Sequence, residues 1–223
     1  LTIILAAISY ITSLLLDFDF VSPYTTLQED LSYLAAHLQN QHISIWSWLL
    51  TSSITFLAIP PFILLFHKRL KVLHYMNALF LVGASVGFLL MGIAGLELYQ
   101  ELVSGSLAGM EEANEQEWLT LLGLYQNELL YRRVGSSFVG AFAFGLALTR
   151  FKIKRFPLVS TVLLLLGGPT MIFLNWYDPE HLVRTAAMAG IIIGVSIFSV
   201  RIINKGLDEQ GSDPGEKQEE AKP

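Results

Sequence analysis

"LHYMNALFLVGASVGFLLMGIAGLEL", Leu73 to Leu98, carries one formally charged side chain, Glu97, close to its end. An apolar helix needs about 20 residues to cross the ~30 Å hydrocarbon core of a bilayer, and this stretch is longer than that. The whole chain follows suit. Its 223 residues are 53% hydrophobic and only 15% charged, with a mean hydropathy of +0.53. Soluble domains are typically about 25% charged, so the composition points to a membrane protein. The absence of cysteine excludes disulfides, thiolate metal sites, iron–sulfur clusters and a cysteine nucleophile.

Six apolar spans can be read, over 1–16, 43–66, 73–98, 134–149, 157–176 and 185–203. The first is short. Because the chain opens on Leu1, further residues are expected before it, and a retained helix is expected rather than a cleaved signal peptide. The fourth is also short, but "WLTLLGLYQNELLY" before it can lengthen the helix. The expected fold class is therefore an all-α integral membrane bundle of six transmembrane helices.

Charge orients that bundle. The connections 67–72 and 150–156 hold Lys68, Arg69, Lys71, Arg150, Lys152, Lys154 and Arg155 and no acid. Asp17, Asp19, Glu29, Asp30, Glu111, Glu112, Glu115 and Glu117 lie in the alternate connections. Short basic loops stay cytoplasmic, which would place both termini in the cytoplasm. Trp46, Trp48, Trp118 and Trp176 all fall near the expected outer boundary, where amphipathic rings prefer to sit.

One transmembrane domain is expected over 1–206, followed by a disordered, charged cytoplasmic tail over 207–223. The outer loops 17–42 and 99–133 should be partly helical. Thr26 and Glu29 have capping-box spacing, and Leu31, Leu34, Ala35 and Leu38 then recur with helical period. Small residues recur at packing intervals: Gly83 and Gly87, then Ser137, Ala141 and Gly145, then Ala186, Gly190 and Gly194. Such faces bring helices close within one chain or between copies, and a homo-oligomer or another membrane protein is the partner class this allows. Membrane lipids are the other expected partner, and no nucleic acid is expected.

Chemistry is hard to find. "GASVG" matches G-x-S-x-G with Ser85 as nucleophile, but that motif needs a strand–turn–helix setting and a base. His37, His42, His67, His74 and His181 fall in loops or at helix ends, which argues against an intramembrane hydrolase, a haem or a metal site. No lysine lies mid-span, so a retinal Schiff base is excluded. No catalytic residue, metal or cofactor is assigned.

Two features remain. Gly167, Gly168 and Pro169 interrupt the fifth span and read as a helix hinge, either a passive kink or a broken helix that binds a substrate. Arg132, Arg133 and Arg184 are the only bases expected on the outer face. Glu128 stands four residues before Arg132, the favourable order for a helical ion pair. Glu97 and Asn175 could join them. The readings for this group are a structural ion pair, an anionic lipid headgroup site, or a substrate site built on Glu97 and Arg132.

"LSYLAAHLQNQHISIWSWLLT" (31–51) and "RFPLVSTVLLLLGGPTMI" (155–172) resemble the helical outer loop with a Trp-bearing span, and the Pro-then-Gly-rich later span, of a bacterial multi-pass membrane family. This is the "domain of unknown function 4386" type. The resemblance implies a bacterial inner-membrane location and carries no catalytic residues. The expected function is non-enzymatic, binding lipid or membrane partners through the Arg/Glu region. The alternative is a small transporter or channel using the kinked fifth span.

Overall fold

The computed structural model describes residues 5, 8–10, 12–13, 31, 34–66, 71–104, 115–149, 157–177 and 181–205. Five long helices carry most of them: α1 Leu38–Phe66, α2 Lys71–Ser104, α3 Glu115–Leu148, α4 Leu158–Tyr177 and α5 His181–Lys205. The expected tail over 207–223 lies outside the described residues.

The six-span count is corrected. Among the described residues, three helices are long and apolar enough to cross a membrane: Leu38–Leu64, Val72–Ser104 and Leu158–Trp176. The cytoplasmic placement of both termini depended on counting six and falls with it. Each missing span has its own reason. Most of 1–16 lies outside the described residues. The stretch 134–149 is the second half of a 34-residue helix that runs from Glu115 through Arg132 and Arg133 without a break. Its apolar part is short of the ~20 residues a crossing needs. It is rich in small residues, and Gly135, Ser136, Gly140, Ala143, Gly145 and Ala147 are buried by protein. Among the described residues of α5 the apolar segment is Ala186–Arg201, below crossing length.

The chain is an all-α, multi-pass integral membrane protein. On α1, Ile43, Trp46, Leu50, Leu57 and Leu64 lie at helical spacing, and all are exposed. Leu158, Val162, Leu166 and Phe173 do the same on α4. Soluble monomers rarely expose apolar faces of that extent, and lipid is the solvent that tolerates them.

The described residues fall into two compact units. The first comprises 1–59 and 79–139, the second 60–78 and 140–223, so α1, α2 and α3 each contribute to both. In the first unit Trp48 is 1% exposed, its ring 4.9 Å from Phe88 and 5.7 Å from Tyr10. Its ring points into the core, while Trp46, two residues earlier, takes the exposed face. Antiparallel α2 and α3 touch where side chains vanish. A β-carbon on Gly87 would lie 2.6 Å from Gly135 Cα, and one on Gly83 would lie 2.7 Å from the Phe138 ring.

Hydroxyls join the helices of this unit where lipid offers no hydrogen bonds. Ser52 Oγ donates to Ser85 O at 2.8 Å, and Ser85 Oγ donates to Ser52 O at 2.9 Å. Thr51 Oγ1 lies 2.8 Å from both Ser9 Oγ and Ser13 Oγ. At the other end of the unit, Leu31, Leu34 and Ala35 are buried against Leu98 and Leu102, with Trp118, Leu121 and Tyr125 packed around them. The apolar period read in the first loop is therefore a packing face. At about 1.5 Å per residue, a 34-residue α2 or α3 is roughly 50 Å long and outruns the hydrocarbon core. This apolar cluster covers the ends of both.

In the second unit α4 packs along α5. Ser160 Oγ donates to Gly194 O at 2.7 Å, and a β-carbon on Gly194 would lie 2.8 Å from Leu164 Cγ. Gly168 faces Gly140 of α3, where its β-carbon would lie 2.6 Å from the Gly140 carbonyl oxygen. Gly167 faces α5, where its β-carbon would lie 2.9 Å from Ala187 O. One side of α4 thus meets α3 and the next meets α5. The two glycines are packing residues on both sides.

Candidate functional site

The arginine region is built on α3. Glu128 and Arg132 are one turn apart, and Arg132 Nη2 donates to Glu128 Oε1 at 3.4 Å. Only 8% of Glu128 is exposed. Taking a carboxylate out of water costs several kcal/mol unless it is paired, and here the guanidinium partner is supplied by the same helix. Room for the carboxylate comes from α2. A β-carbon on Gly95 would lie 3.7 Å from Glu128 Cδ and 3.0 Å from Ile45 Cγ1, so the missing side chain lets three helices close around the acid.

Arg133, the next residue, points elsewhere and is exposed. Two adjacent cations therefore differ in kind: one is held by a buried acid and one is open. Both stand where the apolar second half of α3 begins. Glu97 is exposed, so the buried acid beside Arg132 is Glu128. Asn175 is buried at 6% exposure and belongs to the second unit, as does Arg184. Arg184 lies in the first turn of α5, and its side chain falls outside the described ones. Of the six residues assigned to this region, Glu128 and Arg132 are brought together.

The hinge reading meets a continuous helix. α4 runs from Leu158 to Tyr177 with Pro169 inside it and its ring on the exposed side. Ser85 is 4% exposed and spends its hydroxyl on Ser52 O. Bound to a backbone carbonyl, it has the setting of a packing residue.

Three buried polar residues escaped the sequence reading. His74 was placed at a helix end, yet it is 2% exposed. Its Nε2 lies 2.9 Å from Ile63 O and so donates to one of the last carbonyls of α1. Phe62 stacks on its ring at 4.9 Å. Asn77, three residues on, is 0% exposed, and Gln41 on α1 is 3% exposed. The amide oxygen and nitrogen of both Asn77 and Gln41 are buried without a hydrogen-bond partner. The signal for Asn77 was its place in an apolar helix opposite a glycine, which pairing of α2 with α3 would have revealed.

Among the described residues no three His, Asp or Glu side chains converge as a metal site. No protein-family model, curated protein or solved structure matches the chain.

Proposed function

We propose that this is a non-enzymatic membrane protein that binds a phospholipid headgroup through Arg132 and Arg133. The observation that carries the reading is the division of labour on α3. Glu128, buried against Gly95, orients Arg132, while Arg133 stays exposed at the start of the apolar segment. Cations at such a boundary meet lipid phosphates, and a guanidinium is suited to hold them with two donors. The resemblance to the bacterial multi-pass family extends the proposal to an inner-membrane location.

The alternative, a small transporter or channel working through a broken α4 and a Glu97/Arg132 site, gains no support from a helix that is continuous through Pro169.

Lipid retained by the purified protein, measured by native mass spectrometry, tests the proposal. A charge-assisted contact contributes about 1.5–3 kcal/mol, so Arg133→Ala should lower retention by roughly tenfold or more. Arg132→Ala should lower retention and stability together. In proteoliposomes neither variant should change solute flux. Unchanged retention in the double variant, or flux through the wild type that either substitution abolishes, would refute it.

A further inference from the structure

A polar residue of the second unit is fully isolated from bulk solvent and unpartnered. Asn77 is 0% exposed, and neither its Oδ1 nor its Nδ2 has a partner. A buried amide left in that state is among the costlier features a fold can carry. Its neighbour across α2 and α3 is shaped for it. A β-carbon on Gly145 would overlap Asn77 Oδ1 and lie 3.0 Å from Cγ and 3.4 Å from Nδ2. Only glycine at 145 seats the amide. The contact between Oδ1 and the Gly145 backbone is at best a weak Cα–H interaction, and it offers nothing to the two N–H donors.

Other polar groups of this unit are directed to backbone. His74 Nε2 donates to Ile63 O at 2.9 Å, and Thr149 Oγ1 donates to Leu146 O at 2.6 Å. The rings of Phe62 and Phe142, 5.5 Å apart, add apolar surface to the same unit.

We propose that Asn77 is the polar group of a buried hydration site in the second unit, occupied by an ordered water molecule. The amide's own chemistry selects that guest. A cation would satisfy Oδ1 and face the N–H donors, and an anion would do the reverse. Water both donates and accepts, and buried waters typically make about three hydrogen bonds to such groups. His74, three residues away on the same helix face, is the titratable side chain beside it.

Radiolytic hydroxyl labelling read by mass spectrometry tests this, because a bound water generates the radical next to side chains that bulk solvent does not reach. In the wild type in nanodiscs, His74 should oxidise at a rate within severalfold of exposed Tyr75. In Asn77→Leu, which keeps the size and removes both polar atoms, the His74 rate should fall at least fivefold and the melting temperature should drop. No labelling of wild-type His74 overturns the proposal, and that measurement stands even if the variant fails to fold. Labelling that persists in Asn77→Leu also overturns it, as does a variant that melts higher than wild type.

Discussion

Gly87 and Gly135 face each other across α2 and α3, so close that a β-carbon on Gly87 would lie 2.6 Å from Gly135 Cα. Lipid tails supply no hydrophobic drive between helices, so contact at this range is what holds a membrane seam together. Gly83, the other half of the G-x-x-x-G, is filled by the Phe138 ring at 2.7 Å. The motif is spent inside the chain, and that face gives no support to a homodimer.

Gly87→Ala should therefore destabilise the protein by about 1–3 kcal/mol, since backbone and not a flexible side chain must move. Gly190→Ala is the control. Its β-carbon would meet only Leu163 atoms, at 3.8 and 3.9 Å. Alanine is the better helix former by up to about 1 kcal/mol, so the control should be neutral or stabilising. Thermal unfolding in one detergent compares them.

The reciprocal Ser52–Ser85 bonds should behave as a coupled pair. Each serine-to-alanine change should cost about 0.6–2 kcal/mol, the range of interhelical hydrogen bonds in membranes. The double variant should cost less than the sum of the two. A double-mutant cycle on unfolding free energy measures the coupling, and additivity would show that the two hydroxyls act independently.

Two tryptophans two residues apart should respond very differently. Trp48 is 1% exposed between Phe88 and Tyr10, and Trp48→Ala should cost about 3–5 kcal/mol. Trp46 is 55% exposed, with its indole N–H on His42 Nε2 at 2.9 Å. Trp46→Ala should change stability by less than about 1 kcal/mol.

Pro169→Ala should leave the protein as stable or slightly more so, because it returns a backbone donor to a helix that is already continuous. Gly168→Val should do the opposite, since its β-carbon would lie 2.6 Å from Gly140 O. Melting temperatures of the two variants read the contrast. A destabilised Pro169→Ala would support a hinge.

Several features were legible because they are local. Apolar runs of crossing length identify α1, α2 and α4, and i,i+4 spacing identifies the Glu128–Arg132 pair, since helix geometry alone brings those side chains together. The periodic leucines at 31, 34 and 38 announce a face, though not what it covers. That Gly167 and Gly168 are small could be seen, but not that they are small for α5 and α3. A Gly-Gly-Pro run has the same composition whether it bends a helix or lets two others approach it.

The sequence by itself determined the solvent and the helices, because apolar content and period are properties of the chain before it folds. The tertiary structure alone decided which apolar residues meet protein and which meet lipid. In a soluble protein polarity marks the outside, but in a bilayer Trp46 and Trp48 are equally compatible with both surroundings. It also decided that 134–149 continues a long protein-wrapped helix, and that His74 and Asn77 are sealed from bulk solvent. Burial of a polar group depends on which neighbour lies across from it, and only the packing of α2 against α1 and α3 supplies that neighbour.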